Sequence, residues 1–140
     1  MSAIAPNGSS NLSGSQKRAN FPRSVRLLRH SDFERVYKQG RRHFATHMTV
    51  FYLRRDQGEG LRVGFTVGRV LGGAVQRNRM KRRLREAVRL HRPAEMIAVD
   101  VVINPKKSLL TAEFAEIERE VIRALQVVQK AAEQRSVDKK

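Results

Sequence analysis

The chain has 140 residues, with 29 Lys or Arg against 13 Asp or Glu, a formal charge of +16 and a pI near 11.5. That length suits one domain with a real core, and 40% apolar content argues against global disorder. The lack of any cysteine excludes disulfides, thiolate nucleophiles and Cys-type zinc sites, and no run of about 18 apolar residues exists to span a membrane.

Residues 1–20 are rich in Ser, Asn and Gly and read as a disordered arm. Their first stretch, MSAIAPNGSSNLSGS, lacks the basic and apolar regions of a secretory signal, so a cytoplasmic protein is expected. The folded domain is expected over 21–130, with a charged tail at 131–140. Ser31-Asp-Phe-Glu34 has the spacing of a capping box and should open a short helix. Gly40 should close that helix in the left-handed C-terminal position. Phe33, Val36 and Tyr37 would share one of its faces.

Met48–Arg54 (MTVFYLR) is rich in β-branched and aromatic residues, and Leu61–Gly68 alternates apolar and polar positions. With the turn-forming stretch Asp56–Gly60 between them, the two strands are expected to pair as an antiparallel hairpin. Gly68–Gly73 then leads into a long helix, about Ala74 to His91. Ala98–Asn104 (AVDVVIN) reads as a strand stopped by Pro105. Thr111 is the expected cap of a last helix with Phe114, Ile117, Val121, Leu125 and Val128 on its apolar side. Neither an internal repeat nor a second domain is visible.

The charge is concentrated. Residues 111–140 hold six Lys or Arg and six Asp or Glu, so the whole surplus lies upstream. Between Arg77 and Arg85 six cations fall within nine residues without an acid. At about 100° per residue, Met80, Leu84, Ala87 and Val88 form an apolar arc. Arg77, Asn78, Lys81, Arg82, Arg85 and Arg89 fill an adjoining arc, with Arg79 and Arg83 beyond it. A merely solvated face mixes signs, because opposite charges at i and i+4 stabilise a helix while like charges repel. Guanidinium forks bind phosphate oxygens bidentately and stack on bases, so a phosphate polyanion is the favoured partner. A membrane-surface helix is the second reading, weakened because the apolar arc is needed to cover strands and holds no aromatic residue.

Arg77-Asn-Arg-Met-Lys-Arg82, followed by Arg85, resembles the RNR signature of the bacterial ribonuclease P protein family. Arg62-Val-Gly-Phe-Thr-Val67 is similar to that family's strand before the signature, and Ser31-Asp-Phe-Glu-Arg-Val-Tyr-Lys-Gln-Gly40 to its first helix. The resemblance covers about residues 23–125 in order. It implies a small single-domain α+β fold like the second domain of ribosomal protein S5, with a four-stranded sheet, helices and a left-handed βαβ crossover. It also implies the role of a protein subunit that helps a catalytic RNA remove the 5′ leader of precursor tRNA. The partners would be that RNA, bound 1:1, and precursor tRNA. Magnesium would act through the RNA, with none assigned to the protein.

Carried over by position, Arg77, Asn78, Arg79, Lys81, Arg82, Arg85, Arg89 and Arg69 would face the RNA subunit. Phe33, Tyr37 and Phe51 would line the leader-binding cleft; ordinary core packing is their alternative role. The loop Gly68-Arg-Val-Leu-Gly-Gly73 departs from the family at Val70 and Gly73, where a cation and an Asn are usual.

A stand-alone nuclease is disfavoured by sequence. Asp32, Glu34, Asp56, Glu59, Glu86, Glu95 and Asp100 form no metal-binding spacing, and Asp32 and Glu34 are accounted for by capping. His43 and His47 fall at a strand start rather than on one helix face. Neither His30 nor His91 has an evident orienting carboxylate, and no phosphate-binding Gly-rich loop is present. A structural ribosomal or RNA-chaperone protein is the alternative function.

Overall fold

A computed structural model of the protein describes residues 25–27, 29–56, 58, 60–93 and 98–138. The arm expected at 1–20, and Glu59 and Glu95, lie outside the described residues. In chain order the elements are α1 (His30–Gln39), β1 (Arg41–Phe44), β2 (Met48–Arg54), β3 (Leu61–Phe65), α2 (Ala74–His91), β4 (Val99–Pro105) and α3 (Phe114–Asp138). The four strands form one mixed sheet in the order β1-β2-β4-β3.

The hairpin expected between β2 and β3 does not form. β4 inserts between them, antiparallel to β2 and parallel to β3. The physical reason lies in β4 itself: Val99 to Ile103 is buried at every position, which a strand achieves only at the sheet centre with both faces covered. The hairpin instead joins β2 to β1, a four-residue edge strand too short to show periodicity. The β3–α2–β4 succession makes the βαβ unit, with its two strands parallel and adjacent.

The sheet separates two cores. On one face Val50, Val63, Val101 and Ile103 pack with Met80, Leu84, Ala87 and Val88 of α2 and with Ile117, Val121 and Val128 of α3. On the other, Val102 packs with Val36 of α1 and with Leu27, flanked by Phe33, Phe51 and Leu53. Residues 25–27 run beside β3: Leu27 N donates to the Val63 carbonyl at 2.9 Å.

The helix boundaries correct the expected caps. α1 begins at His30 with Arg29 at the N-cap, and no side chain caps it, so the Ser31–Glu34 box is not realised. Asp32 turns instead to Arg35 (3.4 Å) and Arg62 (3.8 Å). Gly40 is not left-handed, having φ −81° and ψ 172°. Its constraint is steric, because a Cβ there would meet the carbonyls of Val36 and Tyr52. Thr111 does not cap α3 either; the helix starts at Phe114, and Glu116 reaches back to accept from the Glu113 N–H at 3.3 Å. That helix runs on to Asp138, through most of the segment expected as a tail.

Candidate nucleic-acid interface

The sequence places α2 and its apolar stripe where the structure has them: Met80, Leu84, Ala87 and Val88 are the four buried residues of Ala74–His91. That stripe fixes the helix against the sheet, so the cations on its remaining surface are held by a rigid element. Gly72, at φ 141°, makes the sharp approach into the helix in a conformation suited to glycine. Arg69 is exposed in the short 3-10 turn Arg69–Leu71, and Val70 beside it is 89% exposed.

The cations of this helix divide into three groups. Arg83 is structural: its guanidinium donates to the carbonyls of Leu109 (2.7 Å), Leu110 (3.0 Å) and Ala112, tying α2 to the segment before α3. Burial, with the neighbouring charge of Arg79, lowers its pKa from the usual arginine value. Arg89 is paired with Glu86 at 2.6 Å, a hydrogen bond that lowers the Glu86 pKa and raises that of Arg89. The third group is Arg77, Arg79, Lys81, Arg82 and Arg85, for which no acidic partner occurs among the described residues. Arg79, Arg82 and Arg85 are exposed, as is Asn78. They form an uncompensated cationic ridge, open to multidentate phosphate contact.

Phe33, Tyr37 and Phe51 come together on the opposite side of the sheet, between α1 and β2. Phe33 is the most firmly packed: its ring rests on Gly64, where an added Cβ would collide with Phe33 Cζ and Cε1. Tyr37 is 37% exposed, and its ring meets that of Phe51 edge-on, with centroids 4.9 Å apart at 85°. The Tyr37 hydroxyl lies 2.7 Å from Thr66 Oγ1 and 3.0 Å from Asn104 Oδ1, which fixes the ring over β3 and β4. Thr66 and Asn104 were not singled out in the sequence; their role exists only once β3 and β4 are adjacent.

Beneath the same face lies a buried charge cluster that sequence reading missed. Asp100, 0% exposed near the start of β4, accepts from Arg62 Nε and Nη2 (2.8 and 2.9 Å), Arg55 Nη1 (2.8 Å) and Arg35 Nη2 (2.9 Å). Burial alone would raise its pKa, but hydrogen bonds from Arg62 and Arg55 outweigh it and hold the pKa below the ordinary value. Arg35 thereby ties α1 to the sheet.

The other carboxylates and histidines are mostly engaged in ties of this kind. His91 Nε2 meets Glu118 Oε2 at 2.8 Å, and His30 lies 3.6 Å from Glu34, so both histidines do have a carboxylate neighbour, contrary to expectation. The first pair joins α2 to α3; the second is an exposed i, i+4 contact. His43 lies in β1, while His47 precedes β2 and contacts Ser108 Oγ at 2.8 Å. Among the described residues, no group of three or more His, Asp or Glu is arranged to hold a metal ion, and no helix is long and apolar enough to cross a membrane.

Comparison with known proteins agrees with this geometry. The ribonuclease P family model matches residues 21–129. The ribonuclease P protein component of Symbiobacterium thermophilum is 40% identical over 99 residues, covering 71% of this chain and 86% of its own. That of Dictyoglomus thermophilum is 34% identical over 106 residues, covering 74% and 88%. The structure of the Staphylococcus aureus RNase P protein superposes with a TM-score of 0.66 at 25% identity, over 75% of this chain and 97% of that one. A match this long, with the same fold beneath it, places the chain in the ribonuclease P protein family.

Proposed function

We infer that this protein is the cytoplasmic protein subunit of ribonuclease P, which binds the catalytic RNA and assists removal of the 5′ leader from precursor tRNA. The observation that carries this reading is the ridge of cations on α2 that have no acidic partner among the described residues. Five cations held on a rigid helix repel one another at a cost that a phosphate backbone offsets, and their release of counterions drives binding. Arg77, Asn78, Arg79, Lys81, Arg82 and Arg85, with Arg69 in the adjoining turn, dock the RNA subunit; Arg89 contributes from its pair with Glu86.

The cleft receives the single-stranded leader. Bases stack on Tyr37 and Phe51, each stacked base contributing about 1–3 kcal/mol, while Phe33 forms the floor. The hydrolytic chemistry, with its magnesium ions, belongs to the RNA; the protein's carboxylates serve largely as partners for its own cations. One protein binds one RNA.

The test is cleavage of precursor tRNA by the matching RNA at low magnesium, with and without protein. Protein should raise the rate and should cut nothing alone. Cleavage by protein alone would overturn the assignment of chemistry to RNA. An unchanged RNA rate would favour a structural or chaperone role.

A further inference from the structure

We propose that Arg42 and Phe44 of β1 form an additional stacking position for single-stranded RNA, extending the aromatic cleft to the edge of the sheet. The proposal rests on the leader-binding reading above. Phe44 is 66% exposed. A lone exposed phenylalanine is ordinary on a protein surface, but this one is not alone. The Arg42 guanidinium lies 5.8 Å from the Phe44 ring centroid and 5.9 Å from that of Phe51.

The register explains the grouping. Arg42 pairs with Phe51 and Phe44 with Thr49, so Arg42, Phe44 and Phe51 project from the same face. Phe44 and Phe51 are diagonal neighbours across the two strands, about 7–8 Å apart at the backbone. Tyr37, Phe51, Arg42 and Phe44 therefore form a continuous series of ring, ring, cation and ring.

The chemistry selects the occupant. Alternating flat rings with a guanidinium offers π-faces to bases and positive charge to the phosphates between them, the combination that single-stranded nucleic acid uses. Among the strand residues, the carboxylate on this face is Asp100, which is buried beneath three guanidinium groups and does not oppose an anion. β1 has a strand partner on one side only, so a single strand leaving the cleft meets no further sheet beyond it.

The test uses the assembled ribonucleoprotein and three ligands: precursor with a long leader, precursor with a leader of a few nucleotides, and mature tRNA. Phe44→Ala should weaken binding of the long-leader precursor about fivefold or more and leave the other two unchanged. Phe44→Tyr, which keeps the ring, should restore affinity. Because the side chain is mostly in solvent, the melting temperature of the variant should stay close to that of the parent. Phe51→Ala, measured in parallel, should weaken both precursors relative to mature tRNA. Loss from Phe51→Ala without loss from Phe44→Ala overturns the edge position alone; loss from neither overturns the leader-binding reading with it. An equal loss on all three ligands also overturns the edge position, since a stacking site reads only the nucleotides that reach it.

Discussion

Replacing Asp100 with Asn keeps the shape of the side chain and removes its charge. Three guanidinium groups, from Arg35, Arg55 and Arg62, would then face one another around a neutral amide in the interior of the sheet. Breaking one side of a buried charge cluster costs about 3–5 kcal/mol, a large fraction of the roughly 5–15 kcal/mol that stabilises a domain. At about 3 °C or more per kcal/mol for a chain of this size, the melting temperature at neutral pH should fall by about 9 °C or more. The sign with pH follows from the lowered pKa of Asp100. Its stabilisation is fully present above the unfolded carboxyl value, about 3.9, and is lost as pH falls through the lower folded value. Urea unfolding of both proteins from pH 7 downward should therefore show a gap that is constant to about pH 4 and narrows below it. A loss under about 1 kcal/mol at pH 7, or a gap that stays constant in acid, would show that the carboxylate does not hold these arginines as described.

Three further outcomes are expected. Arg85→Ala should leave stability within about 0.5 kcal/mol and reduce the salt dependence of RNA-subunit binding by about one unit of log–log slope; an unchanged slope would remove Arg85 from the phosphate ligands. Arg83→Ala should do the reverse, destabilising by about 2 kcal/mol in chemical unfolding through its lost carbonyl contacts while leaving the salt slope intact. Gly64→Val should displace the Phe33 ring and weaken precursor binding relative to mature tRNA; retained discrimination between the two would mean that Phe33 does not shape the cleft.

The elements that the sequence declared were those governed by local periodicity. β2 spans Met48–Arg54 and α2 Ala74–His91, as their patterns required, because a stripe on a helix or a β-branched run carries its own signal. The pairing of strands carried no such signal. β2 and β3 are joined by a short turn, which favours a hairpin, and only the competition of a more apolar strand for the sheet centre defeats it. The Asp100 cluster was illegible for the same reason: Arg35, Arg55, Arg62 and Asp100 are scattered over 66 positions and meet only in the folded sheet. Ser31 and Thr111 show the opposite error, a correct local motif beside helix starts set elsewhere. The cationic ridge was legible as a composition, but the separation of Arg83 from its neighbours depended on carbonyls more than 25 residues away.

Because α2 and α1 lie on opposite sides of one sheet, the molecule is two-sided, with a cationic flank behind and an aromatic flank in front. Under the proposed function, an RNA assembly that engages both must pass around the protein, which then acts as a spacer of fixed thickness between scaffold and substrate. If leader bases stack there as proposed, a small molecule lodged against Tyr37 and Phe51 would compete with substrate and leave the ribonucleoprotein assembled. If the ridge docks the RNA subunit as proposed, a polyanion drawn to Arg79, Arg82 and Arg85 would strip the protein from its scaffold while the cleft stayed vacant. Inhibitors of the two kinds would thus be told apart by whether the complex survives them.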